Sequence, residues 1–128
     1  MVDYSIFPLE EEIKDKLAKL EISYAFQPIF FPDGKEIYAY EALMRPKNIS
    51  VTNLIEEFRK KSDLHTLEVA TIFGAVQCYG RRGYNSYIAI NSFPAESFTA
   101  EEQAVFDEFY ADVLGLSLIH ISEPTRPY

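Results

Sequence analysis

The sequence predicts an α/β fold, in which a β-hairpin is followed by two helices, a strand and a further helix. Three observations predict it. Residues 26–46, FQPIFFPDGKEIYAYEALMRP, form two strand-like runs around the turn signal Pro32-Asp33-Gly34. Stripes of apolar residues at helical spacing lie before and after that hairpin. A short run rich in apolar residues, Tyr87 to Phe93, then reads as a third strand.

The elements follow in order. Leu9, Ile13, Leu17 and Leu20 make one stripe, and Pro8 suits a first turn, so a helix is expected over Pro8 to Leu20. The hairpin comes next. Helices are expected near Thr52 to Lys61 and Leu64 to Tyr79, with Thr52 and Asp63 as N-caps. Gly80-Arg81-Arg82-Gly83 ends the second of these. After the third strand, Thr99-Ala100-Glu101-Glu102 is a capping box. It opens a helix over about residues 100–112 whose Val105, Phe106 and Phe109 should face inward. There are no internal repeats and no low-complexity segments.

Composition sets the outer limits. Asp and Glu number 20 against 12 Lys and Arg, a net charge of −8. Such a field repels phosphate backbones, so no nucleic acid polymer is expected as a partner. A single cysteine, Cys78, rules out an internal disulfide and fits a cytoplasmic location. No apolar run reaches the roughly 18 residues of a spanning helix, so no membrane partner is expected in this segment. The chain is 48% hydrophobic, ample for a packed core.

The hairpin carries the candidate chemistry. Side chains alternate along a strand, so Ile37, Ala39, Glu41, Leu43 and Arg45 share one face of the second strand. Ala25, Gln27, Ile29 and Phe31 share one face of the first. A three-residue loop, Pro32-Asp33-Gly34, would set Phe31 opposite Lys35, Gln27 opposite Ala39 and Glu41 opposite Ala25. All the polar groups then fall on one face, with small Ala25 leaving space beside the carboxylate. A loop one residue longer or shorter would break that alignment. Pro28 marks an edge position or a bulge. Burying an amide, a carboxylate and a guanidinium on apolar strands costs several kcal/mol unless each finds a partner, which points to a site.

Gln27-Pro28-Ile29, then Glu41-Ala42-Leu43-Met44-Arg45 fourteen residues after the Gln, resembles the start of an EAL domain. Tyr87 to Phe93, YIAINSF, adds Asn91 late in the following strand, where that family has a metal-binding Asn. The three features in this order and spacing carry the resemblance together. The resemblance implies a partial TIM-like (β/α)8 barrel whose first strand is antiparallel. It implies a metal-dependent phosphodiesterase that linearises cyclic di-GMP to pGpG. By resemblance Glu41 is catalytic, Glu41 and Asn91 bind a metal, Arg45 binds a substrate phosphate and Gln27 the substrate. Oxygen ligands of this kind suit Mg2+ or Mn2+. A metal-activated water and a guanidinium fork suit phosphodiester hydrolysis. Glu41 and Arg45 lie four residues apart on a strand, hence roughly 13 Å, and so cannot form a simple in-strand pair.

Blander roles are open for each. Glu41 could pair with a neighbouring cation, and Arg45 could cap a strand end or pair with Glu68. Asn91 could form a turn before Ser92-Phe93-Pro94. His65 reads as a helix-face residue without a second ligand at metal spacing, and Cys78 as core. Arg81 and Arg82 read as a solvated loop, and Tyr38 and Tyr40 as packed against helices.

A full (β/α)8 barrel takes roughly 250 residues, and this chain has 128. The resemblance covers about residues 22–113, and the family's Asp-Asp pair is absent from this sequence. The expected organisation is an N-terminal helix over 1–21, a truncated EAL domain over 22–115 and a non-native tail over 116–128. The helix is expected to cap the bottom of the barrel or to end an upstream linker. Leu116 to Arg126, LSLIHISEPTR, is similar to an in-frame translation of a sequencing adaptor; the other reading is a short β-prone tail. The fragment is expected to be inactive by itself, with activity, and a homodimer, belonging to the intact domain. The alternative is a degenerate EAL domain that acts as a cyclic di-GMP receptor or a protein-interaction module.

Overall fold

Eight elements are present in the computed structural model, which describes residues 2–84, 86–91, 98–114 and 119–122, with 113–114 and 119–122 described by backbone alone. They are α1 (Glu11–Lys19), β1 (Ser23–Phe30), β2 (Ile37–Arg45), α2 (Val51–Lys60), α3 (Leu64–Arg82), β3 (Tyr87–Asn91), α4 (Ala100–Leu114) and β4 (Ile119–Ser122). The strands form one sheet in the order β1-β2-β3-β4. β1 and β2 pair antiparallel, whereas β2 with β3 and β3 with β4 pair parallel. The α/β class and the antiparallel first strand are as expected. Ile119–Ser122, inside the stretch expected to be a non-native tail, pairs alongside β3.

Local signals explain the boundaries. The Thr99 hydroxyl accepts the Glu102 N–H at 3.1 Å and the Glu102 carboxylate accepts the Thr99 N–H at 2.9 Å, the reciprocal box the sequence predicts. Gly83 closes α3 in the left-handed region at φ +70°. Two caps differ from expectation. Ser50, not Thr52, caps α2, its hydroxyl accepting the Asn53 N–H at 3.1 Å. Asp63 stands at the N-cap of α3, but its carboxylate accepts the Thr66 hydroxyl rather than a backbone N–H. α1 starts at Glu11, so Pro8 precedes the helix.

The core lies between the sheet and α3. Tyr24, Ala42, Met44, Ile88 and Ile90 project from one sheet face into it. α3 supplies Leu67, Phe73, Val76 and Tyr79, each at most 1% exposed. α4 adds Phe106 and Phe109, while Val105, expected inward, is 37% exposed. Its position one residue before Phe106 turns it about 100° away on the helix.

The N-terminal segment joins the same core. Tyr4 and Phe7 are buried, with the Phe7 ring 5.3 Å from Phe73 and 5.6 Å from Phe109. The Asp3 N–H donates to Gln77 Oε1 at 2.7 Å, and Gln77 Nε2 returns a bond to the Asp3 carbonyl at 2.9 Å. Lys16 of α1 pairs with Glu57 of α2 at 3.2 Å and lies over the Phe58 ring. Lys47 N–H donates to the Leu20 carbonyl at 2.8 Å. α1 therefore sits beside α2, at the end of the sheet where β2 finishes. It does not cover the end where the parallel strands begin, as a bottom cap would.

Candidate functional site

The hairpin register decides which polar groups meet. The loop is one residue longer than expected: the Phe31 N–H donates to the Glu36 carbonyl at 2.9 Å, leaving Pro32 to Lys35 outside the pair. Within it the Gly34 N–H donates to the Phe31 carbonyl at 2.8 Å, and Gly34 takes φ +70°. Continued without a break, that register would pair Phe30 with Ile37 and then Ile29 with Tyr38. Gln27 and Glu41 would fall on opposite faces. The register instead shifts between Ile29 and Phe30, so that Ile29 pairs with Ala39 and Tyr38 is extra. Beyond the bulge Gln27 stands directly opposite Glu41, and Ala25 opposite Leu43. The bulge therefore restores the shared polar face. It also corrects two expected pairings: Gln27, not Ala25, flanks the carboxylate, and Ala39 faces Ile29.

The third strand completes the row. Glu41 pairs with Ala89 across β2 and β3, and Asn91 lies two residues further on, hence on the same face. The Asn91 Nδ2 donates to Glu41 Oε2 at 3.2 Å. Asn91 is 6% exposed, Glu41 is half-buried and Gln27 is exposed. All four expected site residues thus share one sheet face. Arg45 closes β2, exposed, with its Nη1 donating to the Met44 carbonyl at 3.0 Å. That is the strand-capping role left open by the sequence, and a guanidinium held this way keeps further donors for an anion. Asn91 and Arg45 are the last residues of two parallel strands, the end at which α/β sheets place ligands. The turn expected over Ser92-Phe93-Pro94, and Phe93 as part of the strand, lie outside the described residues.

Glu41 and Asn91 offer oxygen donors, the class hard divalent cations take, so their chemistry fits Mg2+ or Mn2+. Among the described residues no group of three or more His, Cys, Asp or Glu is placed to hold a metal. These two residues would therefore supply part of a coordination shell.

Other candidates resolve differently. His65 Nε2 lies 2.6 Å from Glu102 Oε1, tying α3 to the capping box of α4. No local pattern marks this contact in the sequence, because its partners are 37 residues apart. Burial raises the Cys78 thiol above its ordinary value, as a core thiol should be. Arg81 and Arg82 belong to the last turn of α3, not to a loop; Arg81 donates to Gln77 Oε1 at 3.2 Å and Arg82 lies over the Phe26 ring. Tyr40 stacks on Tyr84 at 4.0 Å and approaches Tyr79 of α3, as expected. Tyr38 is 40% exposed and its ring meets Phe31 and Tyr87, both of the hairpin and sheet rather than the helices. The bulge redirects it. Burial pushes the Tyr79 hydroxyl up to about 12, with nearby Tyr40 adding to it. A cavity of about 230 Å³ opens between Leu9, Ile13, Asp63, Thr66, Val69 and Glu102, and shares no residue with the polar row.

Comparison with known proteins bears on the fold. No family model and no curated protein matches the chain. A solved structure does: a standalone versatile EAL protein from Vibrio cholerae O395, in its c-di-GMP-bound form. The TM-score is 0.59 at 21% sequence identity. The match covers 83% of this chain and 46% of that one, so this chain spans about half the length of the structure it matches. The likeness shows the architecture, that of part of a (β/α) barrel similar to an EAL domain. Among the described residues no helix is long and apolar enough to cross a membrane.

Proposed function

We propose that the chain is the first half of an EAL-type domain and carries part of a cyclic di-GMP site. In the complete domain that site hydrolyses the ligand to linear pGpG. The observation that carries the reading is the contact between Asn91 Nδ2 and Glu41 Oε2 on the face that also holds Gln27. The similar EAL protein, solved with c-di-GMP bound, supports the choice of ligand.

Each residue then has a role set by its chemistry. Glu41 and Asn91 would hold Mg2+ or Mn2+, and the metal, when bound, activates water and neutralises phosphoryl charge. Asn91 fixes the carboxylate of Glu41 by donating to one oxygen. Gln27, exposed beside that carboxylate, offers an amide to the nucleotide. Arg45, at the strand end, offers a planar fork to a phosphate. A chain with net charge −8 needs such local cations to admit an anionic ligand.

Turnover of cyclic di-GMP by the complete protein with Mg2+ or Mn2+ is the test. Glu41→Ala should abolish product formation while leaving the fold intact by circular dichroism. Persistent turnover in that variant would reject the role of Glu41. Calorimetric titration that shows binding without product would select a receptor over a hydrolase.

A further inference from the structure

Glu21 breaks two local rules at its place in the chain. It follows Leu20, the C-cap of α1, and takes the left-handed region at φ +46°. Glycine is the usual occupant of that position, because a Cβ is strained there. A carboxylate is also disfavoured at a helix C-terminus, the negative end of the backbone dipole. A residue kept against both preferences is kept for its side chain. Here the Glu21 carboxylate pairs with Lys47 Nζ at 3.2 Å.

That pair closes a ring at the mouth of the polar row. Ser23, the first residue of β1, stands opposite Arg45, the last of β2, and its hydroxyl donates to the Arg45 carbonyl at 3.5 Å. Beyond the strands, the Lys47 N–H donates to the Leu20 carbonyl at 2.8 Å. Asn48, next in the chain, is also left-handed, at φ +62°. Glu21, Asn48 and Ser62 are the described residues other than glycine with positive φ, and two of the three flank this ring. Such strain persists where the surroundings over-determine it, and it clusters at functional sites.

The residue that the ring holds is Arg45. Its guanidinium donates to the Met44 carbonyl of its own strand, a bond that moves with the strand end and does not fix it. A frayed end would carry the fork away from Glu41 and Asn91. With Ser23 on one side and Lys47 on the other, the backbone of Arg45 is ordered before a phosphate arrives, so less freedom is lost on binding.

We propose that Glu21 is a positioning residue for Arg45: through Lys47 it pins the end of β2 and presets the guanidinium for a phosphate of the ligand. The inference deepens the cyclic di-GMP reading and rests on it.

Steady-state hydrolysis of cyclic di-GMP by the complete protein tests it. Glu21→Gly removes both local conflicts, so the fold should be kept and the thermal midpoint should hold or rise. KM should nonetheless increase about two- to fivefold, the size an exposed ion pair can supply, with kcat within about twofold. Charge alone predicts the opposite, since losing a carboxylate near an anion site should lower KM. Lys47→Ala should match Glu21→Gly, and the double variant should add nothing further. Glu11→Gln, at the other end of α1, also removes a negative charge and should leave KM unchanged. If the complete protein binds without turnover, the same shifts are read in Kd. An unchanged or lowered KM in Glu21→Gly overturns the proposal. So do additive effects in the double variant, which would put Lys47 on the ligand itself. A wild-type protein that neither binds nor turns over cyclic di-GMP overturns the proposal together with the reading beneath it, whereas turnover with an unmoved KM overturns the proposal alone.

Discussion

On one side of the sheet Tyr24, Ala42, Met44, Ile88 and Ile90 are at most 6% exposed, locked under α3. On the other, Ala25, Gln27 and Ile29 are exposed beside a half-buried Glu41. The same strands supply both faces by simple alternation. The covered side is stabilised by apolar area and aromatic contact. The other side holds a hydrogen-bonded carboxylate and amide that apolar packing would not select. Stability and chemistry are thus placed on opposite sides of one layer, so that substitutions should act on one property with little effect on the other.

The sharpest way to break that division is at Phe73. Its ring meets Phe7, Phe98, Phe106 and Phe109 at 5.2–5.5 Å and is fully buried. Phe73→Ala should cost about 3–5 kcal/mol, a large part of a small domain's stability, read from the urea midpoint. Gly74→Val should come next. A Cβ there would meet the Tyr24 hydroxyl oxygen at 3.2 Å and its ring at 3.3 Å. Tyr24 cannot retreat cheaply, because its hydroxyl donates to the Thr71 carbonyl at 3.2 Å. Overpacking of this kind costs about 1–3 kcal/mol in thermal or urea unfolding.

On the open face the expected effect on folding is small. Glu41→Gln should shift stability by less than about 1 kcal/mol, as one half-exposed hydrogen bond is exchanged for another. A loss as large as that of Phe73→Ala would show that the polar row is structural and would erase the contrast. The last effect is confined to alkaline solution. Tyr79 binds its proton more tightly when folded, with its pKa raised from 10.0 to about 12. The native state therefore holds the proton through that window while the unfolded chain releases it. Stability should be complete below pH 10 and should fall as pH climbs toward 12, and Tyr79→Phe should flatten the decline.

What the sequence revealed follows the same division. Periodicity located each described helix, and one cap fixed the start of α4, because Leu17, Phe106 and the Thr99–Glu102 box act within a turn or two of chain. Alternation named the residues of the polar face, since Gln27, Glu41 and Asn91 do share it. The pairing inside that face was not legible. A three-residue loop and a four-residue loop with a bulge leave the same faces aligned, and only the second puts Gln27 beside Glu41. Long-range ties left no local trace either. The Asp3–Gln77 bonds join residues 74 positions apart, and they bind the N-terminal segment to α3 without any periodic signal.

The extra residue at Tyr38 works as a phase adjuster between the tip of the hairpin and its base. Odd and even positions exchange sides as the chain passes it, so the turn can change by one residue and the error can be absorbed before it reaches Gln27. The extra residue of the turn is thereby kept from the spacing of Gln27, Glu41 and Asn91, and a bend in one strand preserves the alignment of two.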